Sequence, residues 1–205
     1  MKTNNFLPIL GCIIFLLLTS CSPEDDIKNP DFNPLVFSED FSKGAVDNTI
    51  LNLEGWSNIA EVGNAKWKTQ IHSGNPYAEF SSYQSNDAVN IGWLISPAIN
   101  MDAVEGATLQ FRANQSYVSS GANSLEVFIA TDYNGNNLTT ANWQPITAKL
   151  PTTSSPYFEY VISGEIDLSS YTGKINIAFK VKGSGTNTTL DGSYQVDDIR
   201  IYTKQ

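Results

Sequence analysis

The sequence predicts an all-β protein: a two-sheet antiparallel β-sandwich, jelly-roll-like, with about ten strands. Three observations predict it. From Val36 to Tyr202 short runs alternate apolar and polar residues, the period of a half-buried strand. The gaps between these runs are rich in Gly, Asn, Asp and Ser, the residues of tight turns. Asn, Ser and Thr supply 57 of the 205 residues while charged residues are only 16%, a composition poor in helix formers. Aromatics at 11% are enough to fill a core. A sandwich routinely occupies this length alone, so residues 36–205 are expected to form one domain.

The chain opens with an address. Lys2 precedes an apolar run from Phe6 to Leu18, too short for an ordinary membrane span, which ends in Leu18-Thr19-Ser20-Cys21. This order resembles the bacterial lipobox, so residues 1–20 are expected to be a lipoprotein signal peptide and Cys21 the lipidated residue. The chain would then be held to a membrane by acyl chains, each buried methylene contributing about 0.8 kcal/mol. Ser22-Pro23-Glu24-Asp25-Asp26 resembles the surface-export signal of Bacteroidetes-type lipoproteins, which implies an outer-membrane lipoprotein facing outward. Residues 21–35, with Pro30 and Pro34, read as an acidic, stiff linker.

The strands follow in order: 36–41, 65–71, 77–82, 91–96, 108–113, 125–131, 144–149, 157–162, 174–182 and 194–202. The clearest is 174–182, with Ile175, Ile177, Phe179 and Val181 on one face and Lys174, Asn176, Lys180 and Lys182 on the other. Leu109, Phe111 and Ala113 share a face against Thr108, Gln110 and Arg112, and so do Leu125, Val127 and Ile129. Trp56, Trp67, Trp93 and Trp143 fall in or beside these runs and read as core filler. One helical turn near Leu138–Asn142 is the sole departure from β pattern.

Two strands break the alternation. In Val36–Phe41 the inward set is Phe37, Glu39 and Phe41, which puts a carboxylate between two phenylalanines. In Gln195–Tyr202, Val196 demands one parity while Ile199 and Ile201 demand the other. A one-residue bulge at Asp197-Asp198 reconciles them. If the first and last strands pair, these carboxylates meet, and like charges side by side need a cation. Ca²⁺ with oxygen ligands would serve; so would pairing with Arg112 or Arg200, or simple exposure.

The rest of the chemistry is mostly exclusion. A net charge of -9 and a pI near 4.4 rule out the basic footprint of a nucleic-acid binder. His72 is the only histidine, in a Ser-Gly-Asn-Pro turn with no Gly-x-Ser-x-Gly elbow elsewhere, and no phosphate-binding glycine loop is present. Glu126, Glu159 and Glu165 offer carboxylates for glycosidase chemistry, but no spacing sets two of them across a cleft. The sequence therefore predicts that the protein is not an enzyme. Loop tyrosines Tyr83, Tyr117 and Tyr133, set among Asn and Gln, are the candidate platforms on which a sugar ring would stack.

Several stretches together resemble the choice-of-anchor J family: Phe37-Ser38-Glu39-Asp40-Phe41, Glu54-Gly55-Trp56, Tyr77–Tyr83, Trp93–Ile99, Ile166–Lys174 and Val196-Asp197-Asp198-Ile199. The resemblance spans nearly all of 36–202. It implies a MAM-like or carbohydrate-binding-module-like jelly roll on Bacteroidetes surface proteins, serving as an accessory binding module. It also implies a structural Ca²⁺ between the first and last strands, with Glu39 or Asp40 and Asp197 or Asp198 as ligands. The partner expected is a glycan or other extracellular polymer; the alternative is a structural or adhesion subunit that binds another cell-surface protein.

Overall fold

The computed structural model describes residues 33–102, 104–135 and 137–203. The expected leader 1–20, the expected lipidation site Cys21 and the expected linker up to residue 32 lie outside the described residues. Fourteen strands are found among the described residues: β1 (Leu35–Glu39), β2 (Thr49–Ile50), β3 (Ser57–Val62), β4 (Lys68–His72), β5 (Asn75–Ser81), β6 (Asn90–Ile95), β7 (Ile99–Asn100), β8 (Ala107–Ser116), β9 (Ser124–Ala130), β10 (Gln144–Pro145), β11 (Val161–Ile162), β12 (Ile166–Asp167), β13 (Lys174–Gly183) and β14 (Ser193–Thr203). A single 3₁₀ turn, Leu138–Thr140, sits where the sequence places its helical turn. The Asn137 side chain accepts a bond from the Thr139 backbone N–H at its start.

The strands form two antiparallel sheets. One has the order β11-β8-β14-β5-β4-β2, with β1 added beside β14 and β12 beside β8; the other runs β10-β9-β13-β6-β3, with β7 beside β13. The inward faces follow the alternation read from the sequence. Leu109, Phe111 and Ala113 of β8 face Ile175, Ile177, Phe179 and Val181 of β13, and all seven belong to one buried core. Phe111 and Phe179 meet edge to face across the two layers, their centroids 5.1 Å apart. Trp67 is fully buried and packs on Phe80 at 5.7 Å. Trp56 and Trp143 are only half-buried, and Trp93 and Trp143 lie in a second, smaller cluster.

β14 organises the larger sheet. On one side it pairs with β8 along nearly its whole length; on the other it pairs first with β5 (Ser193–Val196) and then with β1 (Ile199–Tyr202). The first and last strands are thus neighbours, with Phe37 opposite Ile201 and Glu39 opposite Ile199. The register shifts between Asp197 and Arg200, where the strand changes partner, and Asp198 takes φ +48°. This is the bulge that the parity conflict requires: Val196, Ile199 and Ile201 all reach the core.

Some elements escape the alternation. Edge strand β3 and the two-residue strands β2, β7 and β12 carry too few alternating residues to be read. Conversely, the runs at 144–149 and 157–162 shrink to Gln144–Pro145 and Val161–Ile162.

Gly92 on β6 makes close packing of the layers possible, since a β-carbon there would lie inside the Phe80 ring. Gly92→Ala is expected to cost about 1–3 kcal/mol in urea denaturation, the usual penalty of overpacking. Shortening Phe80 to Leu in the same chain should recover part of that loss.

Candidate functional site

The outward faces of three adjacent strands build a polar floor. Gln195 on β14 stands opposite Asn114 of β8 on one side and Glu79 of β5 on the other. Gln195 donates to the Glu79 carboxylate at 2.7 Å and accepts from the Asn114 amide at 2.7 Å, so one ladder of side-chain bonds crosses the sheet. One step along the strands, the hydroxyls of Ser116 and Ser193 are 2.7 Å apart. One step the other way, the ion pair of Arg112 and Asp197 crosses the same two strands at 2.6 Å.

A wall of aromatic rings flanks this floor, built from a segment that the sequence reads as strand. Residues 157–160 are not paired as a strand: the chain turns after Pro156, Phe158 adopts φ +64°, and its N–H donates to the Gln115 carbonyl at 2.9 Å. The Gln115 side chain ties the segment down from below by donating to the Ser155 carbonyl at 2.6 Å. A left-handed residue ends the alternation, so Tyr157 and Phe158 stay at the surface. Tyr117 joins them from the end of β8, its ring 4.9 Å from Tyr157 and 6.4 Å from Phe158. Tyr117 also has φ +58°, and Gly192 lets the start of β14 pass against its backbone, because a β-carbon there would come within 2.7 Å of the Tyr117 carbonyl.

Floor and wall enclose two cavities that share Phe158. The first, about 530 Å³, lies over Arg112, Asn114 and Gln195, between Tyr77 and Tyr160. The second, about 680 Å³, lies over Ser116 and Ser193 and is bordered by Tyr83, Tyr117 and Tyr157. They form a groove along the strands, with about 13 Å of β14 between Asp197 and Ser193 at the usual rise. Burial is the main influence raising the Tyr77 hydroxyl above the ordinary tyrosine range, with Glu79 and then Asp47 adding to it. Tyr160 is raised further, by burial first and the Asp197 charge second, and its ring stacks 4.4 Å from the Arg112 guanidinium carbon. At neutral pH these phenols are therefore protonated donors.

The structure brings two of the three loop tyrosines together. Tyr83 and Tyr117 are both exposed on the second cavity. Tyr133 is elsewhere, in the smaller cluster with Trp93 of β6: it packs on Trp143 at 5.4 Å and its hydroxyl lies 3.2 Å from that of Ser57. Tyr157, Phe158 and Tyr160 escape a reading by period. The signal available was three aromatics in four residues straight after a proline.

Of the four acidic candidates of the first and last strands, Glu39, Asp40 and Asp198 border one cavity together with Lys43 and Arg200, while Asp197 is buried. Glu39 accepts from Trp56 Nε1 at 3.2 Å and from the Phe41 N–H at 2.7 Å, while Phe37 and Phe41 flank the same indole. Asp40 is exposed and holds the Ser42 hydroxyl and N–H, bonds that depress its pKa. Asp197, only 1% exposed, takes Arg112 at 2.6 Å, the Asn75 amide at 2.9 Å and the Asp198 N–H at 2.7 Å. Asp198 takes Arg112 Nε at 2.9 Å and Arg200 at 3.4 Å. Burial opposes the Arg112 charge, but Asp197 and then Asp198 more than offset it and hold that guanidinium above its ordinary pKa. Pairing with Arg112 and Arg200, the alternative to Ca²⁺ that the sequence leaves open, is thus made by the two aspartates. Among the described residues no group of three or more His, Cys, Asp or Glu is arranged to hold a metal.

A family model described as "Domain of unknown function (DUF5017)" matches residues 99–205, the half that supplies β7 to β14 and the aromatic wall. That description differs from the choice-of-anchor J family, which the motifs resemble. Among solved structures, the K2 cleaved adhesin domain of Lys-gingipain is 16% identical with a TM-score of 0.53, covering 82% of this chain and 98% of that one. The K1 domain of the same protein from Porphyromonas gingivalis W83 is 18% identical, with a TM-score of 0.49 over 82% and 98%. The CBM22-1 xylan-binding domain of Paenibacillus barcinonensis Xyn10C is 12% identical, with a TM-score of 0.47 over 84% and 97%. No curated protein matches the chain. The likeness to the K2 domain is one of fold.

Two outcomes follow from the Arg112 corner. Arg112→Met strips a buried carboxylate of its cation and should cost about 3 kcal/mol in urea denaturation, whereas Arg112→Met with Asp197→Asn should cost distinctly less. EDTA should leave the melting temperature unchanged. A fall that added Ca²⁺ reverses would put a metal back into this corner.

Proposed function

The chain belongs to the DUF5017 family, and from the groove on its larger sheet we propose that it is a non-catalytic binding module for an extracellular glycan, held at the outer surface by lipid on Cys21. One observation carries this reading: exposed rings of Tyr117, Tyr157 and Phe158, in mutual contact, stand over a ladder of amide and hydroxyl side chains. A sugar ring offers both complements, an apolar C–H face for the aromatic plane and hydroxyls that both donate and accept. Tyr117 is 63% exposed and Phe158 55%, more apolar surface than a loop needs for its own packing. The floor is held by its own hydrogen bonds before any ligand arrives, so little order has to be created on binding.

The lipid anchor rests on Leu18-Thr19-Ser20-Cys21, and the outward placement on the acidic run after it. Labelling with radioactive palmitate, lost in Cys21→Ala, tests the first; protease access to the protein on intact cells tests the second.

For the groove, the full-length chain is run in affinity gels containing xylan, β-1,4-galactan, galactomannan or polygalacturonate. Retardation by at least one of these is expected. Tyr117→Ala and Tyr157→Ala should each weaken that binding by about tenfold, the scale of an aromatic anchor. Tyr133→Ala should leave binding unchanged and lower stability only. Free migration in every gel would sink the glycan reading and favour a surface-protein partner.

A further inference from the structure

Three buried polar atoms of residues lining the first cavity have no hydrogen-bond partner: Asn114 Oδ1, Tyr160 Oη and Arg112 Nε, the last of which is ion-paired with Asp198 at 2.9 Å. Asn114 is 1% exposed, and the ladder fixes which way its amide points. The Glu79 carboxylate can only accept, so Gln195 turns its NH₂ toward it and presents its own carbonyl to Asn114 Nδ2. The carbonyl of Asn114 is what remains, an acceptor with no donor. Tyr160 is held by its ring over Arg112, and its hydroxyl is buried without a partner. Unmatched buried groups of this kind are uncommon in folded proteins and call for a reason.

The charges around this cavity are also committed. Arg112 and His72 are the basic residues lining it, and both Asp197 and Asp198 already hold the Arg112 guanidinium. Farther along the groove, the second cavity is lined by the carboxylates of Glu79 and Asp191. An arriving carboxylate or sulfate would meet a carbonyl oxygen and like charges, with no free guanidinium to receive it. A neutral hydroxyl can donate to the one orphan and accept from the other.

Resting on the glycan reading of the groove, we infer that the first cavity is its specificity subsite: it takes hydroxyls of an uncharged sugar ring, Asn114 Oδ1 accepting and Tyr160 Oη donating, and rejects acidic sugars. Both atoms are buried, so a sugar reaches them only by displacing the Tyr160 ring. Tyr160 precedes β11, whose pairing with β8 stays in place. Uronate-rich and sulfated polymers are thereby excluded by the floor itself, whatever the rim aromatics stack on.

The test uses the full-length chain with soluble xylan, β-1,4-galactan and polygalacturonate as probes, read by titration calorimetry and by melting temperature. Binding to a neutral probe and not to polygalacturonate is expected. Tyr160→Phe removes only the hydroxyl, and it should weaken neutral binding by roughly three- to tenfold while the unliganded melting temperature stays level or rises. Unchanged affinity in Tyr160→Phe, with Tyr117→Ala still impaired, would overturn the subsite and leave the groove standing. Polygalacturonate binding as tight as that of either neutral probe would overturn the charge selection. Failure of the wild-type chain to bind any of the three, with free migration in the galactomannan gel as well, would overturn the subsite together with the glycan reading.

Discussion

The larger sheet depends on one crossing of charge, Arg112 of β8 against Asp197 of β14. β14 has to serve three strands, and at Asp197-Asp198 it leaves β5 and takes up β1. A bulge at such a junction opens the backbone ladder and turns a side chain out of register. Here the displaced carboxylates are caught by one guanidinium, which also supports the Tyr160 ring above it. An ion pair that is mostly buried contributes little net stability over an apolar substitute. Its value lies in direction: it fixes where the strand changes partner and which face the bulge presents.

The two outer faces of the sandwich are solved differently. On the smaller sheet, Trp93, Phe128, Trp143 and Tyr133 close over one another, Lys180 lies 5.0 Å from the Trp93 ring centroid, and Glu61 accepts the Trp93 N–H at 2.6 Å. That face has become a second small core. On the larger sheet the outward residues are amides, hydroxyls and carboxylates that bond sideways to each other, and the aromatics stand at the rim. Apolar filler covers one side, and the polar floor of the other carries the groove.

Much of the fold was legible because alternation is a direct record of which face is buried. Ile175 to Val181 and Leu109 to Ala113 read true, and the clash between Val196 and Ile199 located the bulge to within a residue. The site was less legible. Alternation names what points outward but not which outward residues share a neighbourhood, so Gln195, Asn114 and Glu79 passed as ordinary surface. Positive φ at Tyr117 and Phe158 decides where the rim rings go, and no pattern in side-chain polarity encodes it for residues other than glycine. The acidic pairs were noticed correctly as anomalies. The guanidinium that Asp197 takes was among the alternatives read from the sequence, whereas the indole that Glu39 takes lies 17 residues away and belongs to tertiary structure.

The adjacency of β1 and β14 also has a mechanical side. Tension arriving through the chain ahead of Asn33 enters β1, which is laced to β14 by the ladder and by the Thr203 N–H on the Pro34 carbonyl at 3.0 Å. Bonds of an antiparallel ladder lie across the strand axis, so a pull directed along β1 strains them in shear, all at once, instead of peeling them singly. The strand receiving that load is the same one that floors the groove. Under the proposed function, drag on a bound polymer would pass to the lipid anchor through one shared ladder, without crossing the apolar interior.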